Sequence, residues 1–306
     1  MVTVCVRHTA SRHLAGTGQA DRLRGLMPRV AQQLRRALTI QPRRFSRKGE
    51  FLTPTISVVT AVFNRVDTVA EALASVHAQT WRPVEHIVID GASTDGTVGV
   101  LQAHRDRLAV LVSEPDKGIY DALNKGIRCA SGDVVGFLHA DDLYESPDSL
   151  ARVAQAFENP EVDAVYGDLV YVRHHDPAHV VRYWRAGPYV AGCLEQGWMP
   201  PHPTFYVRRS VYERLGLFET KFRISADYES ILRFLGRGGV RPAYVPQVLV
   251  RMRLGGISNR SLRSMLLKSR EDYAALRLNG MGGVHALLRK NFMKLPQFLS
   301  RAPAPG

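Results

Sequence analysis

The stretch Gly136-Phe137-Leu138-His139-Ala140-Asp141-Asp142-Leu143-Tyr144 ends an apolar run in two adjacent carboxylates. An apolar run of this kind reads as a strand buried in a parallel sheet. In open α/β sheets, ligands bind just outside the carboxyl ends of the strands. Two anionic side chains at that point, with no neighbouring base in sequence, call for a cation. Carboxylate oxygens suit hard ions such as Mg²⁺ or Mn²⁺. A metal held in this way is a natural partner for a diphosphate.

Two preceding strands end in the same manner. Val88-Ile89-Asp90 closes one, and a carboxylate at Asp90 can accept from a nucleobase N–H or a ribose hydroxyl. Asp116 and Lys117 follow the next strand, just before a helix N-terminus whose backbone N–H groups favour anions. Alone, Pro115-Asp116 would be a turn that caps the helix. Three consecutive strands ending in acidic groups on one edge argue for a site. Asp95, followed by Gly96-Thr97, reads differently, as a cap or turn residue for the next helix. Asn124 is either a buttress for the metal loop or an ordinary polar helix residue.

Other chemistries find little support. The first strand-to-helix loop, Ala61-Val62-Phe63-Asn64-Arg65, lacks the glycines that a dinucleotide fold needs, and no Walker loop follows any strand. The cysteines Cys5, Cys129 and Cys193 stand far apart, which indicates neither a zinc site nor a disulfide framework. His174, His175 and His179 cluster without the carboxylate or cysteine spacing of a zinc site.

The elements that must position these residues alternate. Strands are expected over 56–60, 85–90, 108–113 and 134–138, with helices over 66–79, 96–104 and 119–129 between them. A helix near 150–157, a strand at 164–172, a helix over 225–235 and a strand over 243–251 follow. This rhythm means βαβ units and a mainly parallel sheet, an α/β fold. Residues 184–203 read as loops with a short helix, and 262–278 and 284–299 as basic amphipathic helices. Leu23 to Leu38 also falls near helical spacing, as a membrane-surface helix, a packing helix or a leader.

The net charge is +13. Residues 1–53 carry +9, residues 251–306 carry +9, and the segment between them carries −5. Basic ends around an acidic core fit either solvated tails or attraction to an anionic membrane or nucleic acid. The acidic strand ends argue against nucleic acid. No apolar run reaches membrane-spanning length, and the N-terminus does not read as a secretory signal, so a reduced cytoplasm is expected.

Taken in order, the runs 55–64, 88–97, 114–126 and 137–142 resemble glycosyltransferase family 2. The resemblance covers roughly residues 55–258. It implies the GT-A fold and an inverting, metal-dependent transfer from a UDP- or GDP-linked sugar to a saccharide or lipid-linked acceptor. Residues 54–258 would form that domain, between a basic leader at 1–53 and a basic helical tail at 259–306.

Within the resemblance, Asn64, Asp90, Asp116, Lys117, Asn124, His139 and Asp142 fall at nucleotide-sugar positions. Asp141 matches the metal ligand of the D-x-D motif. His139 departs from the family, because its position usually holds Asp or Asn; it can bind metal, contact ribose or point away. Asp227, in Phe222-Arg223-Ile224-Ser225-Ala226-Asp227-Tyr228-Glu229, matches the catalytic base, with a helix cap as the plainer role. An attacking hydroxyl has a high pKa, so a carboxylate must take its proton. The motif does not require Glu229.

His202 and Trp198 are acceptor-side candidates, with a packed histidine and a core seal as their plainer roles. Arg251 and Arg253 are candidate diphosphate contacts, and Gly255-Gly256-Ile257-Ser258 resembles a loop that closes over the donor. The setting implied is cell-surface polysaccharide or glycolipid assembly, at the inner membrane face. Two rivals stand beside this reading: a sugar-phosphate nucleotidyltransferase, which would want a glycine-rich basic loop after the first strand, and a non-catalytic protein that binds membrane or nucleic acid through its basic ends.

Overall fold

The structure, a computed structural model, describes residues 53–255 and 262–292. The helical spacing at 23–38, Cys5, the loop residues 256–258 and the end of the last expected helix lie outside them. In order, the elements are β1 (Ile56–Val62), α1 (Val69–His77), β2 (Val84–Asp90), α2 (Thr97–Ala103), β3 (Val110–Ser113) and α3 (Ile119–Cys129). Then come β4 (Val134–Phe137), β5 (Leu143–Tyr144), α4 (Ser149–Ala156), β6 (Ala164–Val172), β7 (Val180–Trp184), β8 (Tyr206–Arg208) and α5 (Arg209–Leu215). The last are α6 (Ala226–Ile231), β9 (Pro242–Arg253), α7 (Leu262–Leu278) and α8 (Val284–Phe292).

The strands form one sheet in the order β3-β2-β1-β4-β8-β6-β9-β5, with β7 paired to β6. β3, β2, β1 and β4 run parallel. β8 lies antiparallel between β4 and β6, and β6 pairs parallel with β9, so the sheet is mainly parallel. β1 and β4 are buried along their whole length, as expected for strands covered on both faces. One core layer gathers α3, α6 and the inner faces of β2 and β4; another packs α4 against β1, β6 and β9. Gly136 in β4 is needed for packing: a Cβ there would lie 2.1 Å from the Tyr206 ring. Tyr206 crosses that gap and donates its hydroxyl to Tyr144 at 2.9 Å. This joins β8 to the strand that follows the acidic pair.

Three features depart from the sequence reading. Helix α1 begins at Val69 rather than at 66. Asn64 adopts φ 50°, and the amides of Arg65 and Val66 donate to Thr97 Oγ1 and Asp95 Oδ2. The first loop is thus bound to the second loop before its helix starts. β5, β7, β8 and α5 were not foreseen; β5 and β8, of two and three residues, are too short to show a period. The helix at 225–235 is α6 followed by a π-helical segment, Leu232–Arg237.

The sheet also encloses a histidine chain. Thr60 Oγ1 lies 3.1 Å from His86 Nε2, and His86 Nδ1 lies 3.2 Å from His77 Nε2. Burial, aided by His77, pulls the His86 pKa down to about 3; burial first, then Arg107, pulls His77 to about 4. Both rings are neutral when folded, whereas the unfolded chain takes up protons near pH 6.5. The unfolded state therefore binds more protons below that pH, and stability falls as pH drops from 6.5 toward 4. His86 contributes a slope of about 1 kcal/mol per pH unit. Urea unfolding at stepped pH should show this slope in the wild type and a flatter profile in His86→Gln; parallel profiles would rule the histidine out as its cause.

Candidate active site

The site is built where β1, β3 and β4 end. A cavity of about 540 Å³ opens there, lined by Asn64, Asp116, His139, Asp141, His202 and Asp227 among others. That is the size of a small-molecule pocket. Asn64 reaches it because its left-handed backbone, which Asn tolerates, turns the loop over. The Asn64 amide donates to Ser93 Oγ at 2.8 Å, and its Oδ1 accepts from the Thr94 amide at 2.9 Å. Asp116 accepts from the Gly118 amide at 2.8 Å, at the start of α3. Gly91 leaves it room, since a Cβ there would lie 2.4 Å from Asp116 Oδ2.

The acidic pair divides its roles. Asp141 is half-buried, and its Oδ2 lies 3.6 Å from Arg65 Nε. Asp142 is 1% exposed, and its Oδ1 accepts from the Arg253 amide at 3.1 Å. Burial, and next the charge of Asp141, push the Asp142 carboxyl well above its ordinary range. Both line the cavity, and Asp141 is the more exposed of the two.

Arg253 anchors this turn from behind. Its Nη1 donates to the Asp141 carbonyl at 3.0 Å, its Nε donates to the His174 carbonyl at 2.9 Å, and Nη2 pairs with Glu71. Arg251 pairs with both oxygens of Glu145, at 2.6 and 2.8 Å. Arg251 is not among the cavity-lining residues and its guanidinium is bound to Glu145, whereas Arg253 lines the cavity with its guanidinium held by Glu71 and the carbonyls of Asp141 and His174.

Asp227 lines the same cavity as Asp141, from the first turn of α6. Ser225, not Asp227, occupies the N-cap position. Tyr120, at the start of α3, places its hydroxyl 3.0 Å from Asp227 Oδ1 and 2.7 Å from the Ile224 carbonyl. Burial, then Asp227, raise the phenol pKa well above its usual value, so Tyr120 stays a donor. His139 and His202 stack with ring centroids 6.2 Å apart. Burial pulls His202 down to about 4 and lowers His139, with Asp141 and Asp227 opposing the latter shift. Both imidazoles are neutral near pH 7. His139 Nδ1 and His202 Nε2 are buried without a protein hydrogen-bond partner among the described residues.

Asp90, Lys117, Asn124 and Trp198 are not among the cavity-lining residues. Asp90 is fully buried, and its oxygens accept from Ser93 and Ser113. Lys117 is exposed. Asn124 spends its amide on the backbone of Phe218, donating to the carbonyl and accepting from the N–H, each at 2.9 Å. Trp198 donates to the Ala186 carbonyl at 2.7 Å and packs on Tyr166 and Tyr189, sealing the core. Asp95 accepts from the Thr97 amide and hydroxyl, a turn role. Glu229 is buried against Arg233.

Arg65, Tyr120 and Arg223 line the cavity, and the sequence reading gave none of them a role. Tyr120 carried no local signal, because its partner Asp227 lies 107 residues away.

Among the described residues, no group of three His, Cys, Asp or Glu side chains is placed to hold a metal. A protein cage is therefore absent, His174, His175 and His179 included. One cavity-facing carboxylate does fit a hard cation that takes its remaining ligands from a diphosphate and water.

Comparison with known proteins fits this geometry. The model of the family "Glycosyl transferase family 2" matches residues 57–222. The chain belongs to glycosyltransferase family 2. An uncharacterized glycosyltransferase of Mycobacterium tuberculosis is 37% identical over 189 residues, 59% of this chain and 68% of that one. A PGL/p-HBAD biosynthesis glycosyltransferase of Mycobacterium bovis is 27% identical over 220 residues, 70% of this chain and 83% of that one.

Among solved structures, the mannosyltransferase of Pyrobaculum calidifontis in complex with GDP-Man and Mn²⁺ superposes with TM-score 0.57 at 21% identity, covering 91% of this chain and 80% of that one. Staphylococcus aureus TarS superposes with TM-score 0.55 at 19% identity; the match covers 74% of this chain and 39% of that longer one. These likenesses establish the GT-A fold, and family membership makes this glycosyltransferase a transferase of sugar residues.

Arg253→Met should unfold the glycosyltransferase more readily, by about 2–4 kcal/mol, because it strands the carbonyls of Asp141 and His174 in the interior. Urea titration measures this; a change under 0.5 kcal/mol would mean that the clamp contributes little.

Proposed function

We propose that this glycosyltransferase transfers a sugar, with inversion, from a nucleotide-diphosphate donor to a hydroxyl of a saccharide or lipid-linked acceptor. The observation that carries this reading is that Asp141 and Asp227 line one and the same cavity. One is aimed at the leaving group and the other at the nucleophile. Asp116 and Asn64 line the donor side, beside the loop that Asp90 stabilises. Asp141 would hold Mg²⁺ or Mn²⁺ on the diphosphate, and the bound ion would neutralise charge on the departing nucleotide. The TarS neighbour was solved with UDP-GlcNAc and the archaeal one with GDP-Man, which supports a UDP- or GDP-linked donor.

In this reading Asp227 takes the proton from the attacking hydroxyl as the new bond forms. Tyr120 holds the carboxylate beside the turn by sharing its one hydroxyl proton between Asp227 Oδ1 and the Ile224 carbonyl. The other oxygen is left to accept the proton. His139 and His202, both neutral, offer hydrogen bonds without adding charge beside the diphosphate. Attack from the face opposite the leaving group inverts the anomeric centre.

Residues 54–258 carry transfer in this proposal, with 1–53 and 259–306 as basic flanks. On α7, Arg263, Arg270 and Arg277 are exposed at seven-residue spacing, a stripe suited to an anionic bilayer. No helix among the described residues is long and apolar enough to cross a membrane. Contact of this kind would place the enzyme at the inner membrane face, where a lipid-linked acceptor is presented. The PGL/p-HBAD biosynthesis relative supports a glycolipid or cell-surface setting.

Asp227→Asn should slow turnover by roughly 10²–10⁴-fold while leaving UDP or GDP binding intact. Steady-state kinetics on a panel of UDP- and GDP-hexoses tests this, and near-normal turnover removes Asp227 from the base role. Asp141→Ala should abolish the part of UDP or GDP affinity that depends on Mn²⁺. Calorimetry with and without the ion reads this directly, and an unchanged metal dependence would place the ion elsewhere.

A further inference from the structure

The helix α7 begins beyond the segment that the family model matches, yet one of its side chains grips the active-site wall. Glu271 is 8% exposed. Its Oε1 accepts from the Arg223 amide at 2.9 Å. Its Oε2 accepts from the amides of Ile224 at 2.8 Å and Ser225 at 3.0 Å. Three consecutive backbone N–H groups thus converge on one carboxylate. Such convergence is what a buried carboxylate needs in place of water.

The same turn is held from its other side by Tyr120, which reaches the Ile224 carbonyl. Asp227 follows two residues after Ser225, and Arg223 and Ile224 themselves line the cavity. Asp227 therefore has its height and direction set by a turn clamped between α3 and α7.

Helix α7 is itself fixed, which makes the clamp rigid. Asp272, next to Glu271, is buried and pairs with Lys268 at 3.1 Å and with Lys290 of α8 at 2.8 Å. Lys290 is 1% exposed at its side chain and lies 3.0 Å from the centroid of the Tyr228 ring, one residue past Asp227. A Cβ on Gly197 would come within 2.5 Å of the Lys290 backbone, so α8 also packs tightly on the loop before His202.

We propose that Glu271 is a positioning residue for glycosyl transfer: through the amides of residues 223–225 it sets the carboxylate of Asp227 at the distance that proton removal requires. The proposal rests on the reading of Asp227 as the base. It makes the C-terminal helix pair a working part of the site.

The test uses the full chain and three variants, Glu271→Gln, Asp227→Asn and the double variant. An amide at 271 keeps the size but offers one accepting oxygen to three donors. Small displacements of a catalytic group cost up to about 10²-fold in rate. Glu271→Gln is therefore expected to lower kcat by about 10–100-fold. The donor KM and the affinity for UDP or GDP with Mn²⁺ should stay within about twofold, since uniform binding is untouched. Hydrogen exchange should quicken at the amides of 223–225 and not within α6. Adding Glu271→Gln to Asp227→Asn should cost little more, because residues acting through one another are not additive.

Wild-type kcat in Glu271→Gln overturns the proposal whatever Asp227→Asn does. Multiplicative losses in the double variant also overturn it, because Glu271 then acts independently of Asp227. Normal turnover in Asp227→Asn beside a slow Glu271→Gln instead defeats the base assignment and, with it, the proposed route of action. Where Glu271→Gln does not fold, Glu271→Asp keeps the charge and withdraws its oxygens by one methylene. The same split of kcat from KM then decides the question.

Discussion

A carboxylate withdrawn from water must find donors or a counter-charge, and this sheet delivers several carboxylates to one edge. Each is satisfied in a different way. Asp90 is closed off by the hydroxyls of Ser93 and Ser113. Asp142 sits under the backbone of Arg253 with its carboxyl pushed toward the neutral form. Asp141 has only Arg65 beside it, at 3.6 Å, and keeps an open side toward the cavity. Asp227 has a single phenol donor.

This division explains why the surrounding structure is so heavily bonded. Arg253 ties the acidic turn to β9 and α1, and Glu271 ties the turn before α6 to α7. Both devices use a buried ionic group to satisfy backbone, and Arg253 pairs with the Glu71 side chain as well. Backbone groups are fixed by the chain path, so such contacts hold loops to within fractions of an ångström. The turns so held carry Asp141 and Asp227, neither of which sits on a long regular element.

The neutral histidines follow from the same accounting. At the first position of the D-x-D motif this chain carries His139, and burial keeps it uncharged. His202 stacks beside it and is also neutral. Another carboxylate here would add negative charge next to the donor diphosphate. A neutral imidazole retains hydrogen bonding without that repulsion.

The sequence by itself determined what is local. Alternating apolar runs predicted the parallel core strands, because burial on both faces demands continuous apolar residues. The turn role of Asp95 was legible, since its partner Thr97 is two residues away. The acidic strand ends were legible because a strand's carboxyl end is a chemical address in any such sheet. Tertiary structure alone decided which polar side chains are free. Asn124, Trp198 and Arg251 looked available in sequence, yet each is consumed by a partner far along the chain, and Arg253 is tied to the turn it lies behind. Asn124 meets Phe218 94 residues on, and Arg253 meets Asp141 112 residues back. Tyr120 and Glu271 gained their importance by the same long closures. Availability depends on what a side chain touches, and only folding across those distances creates the contacts.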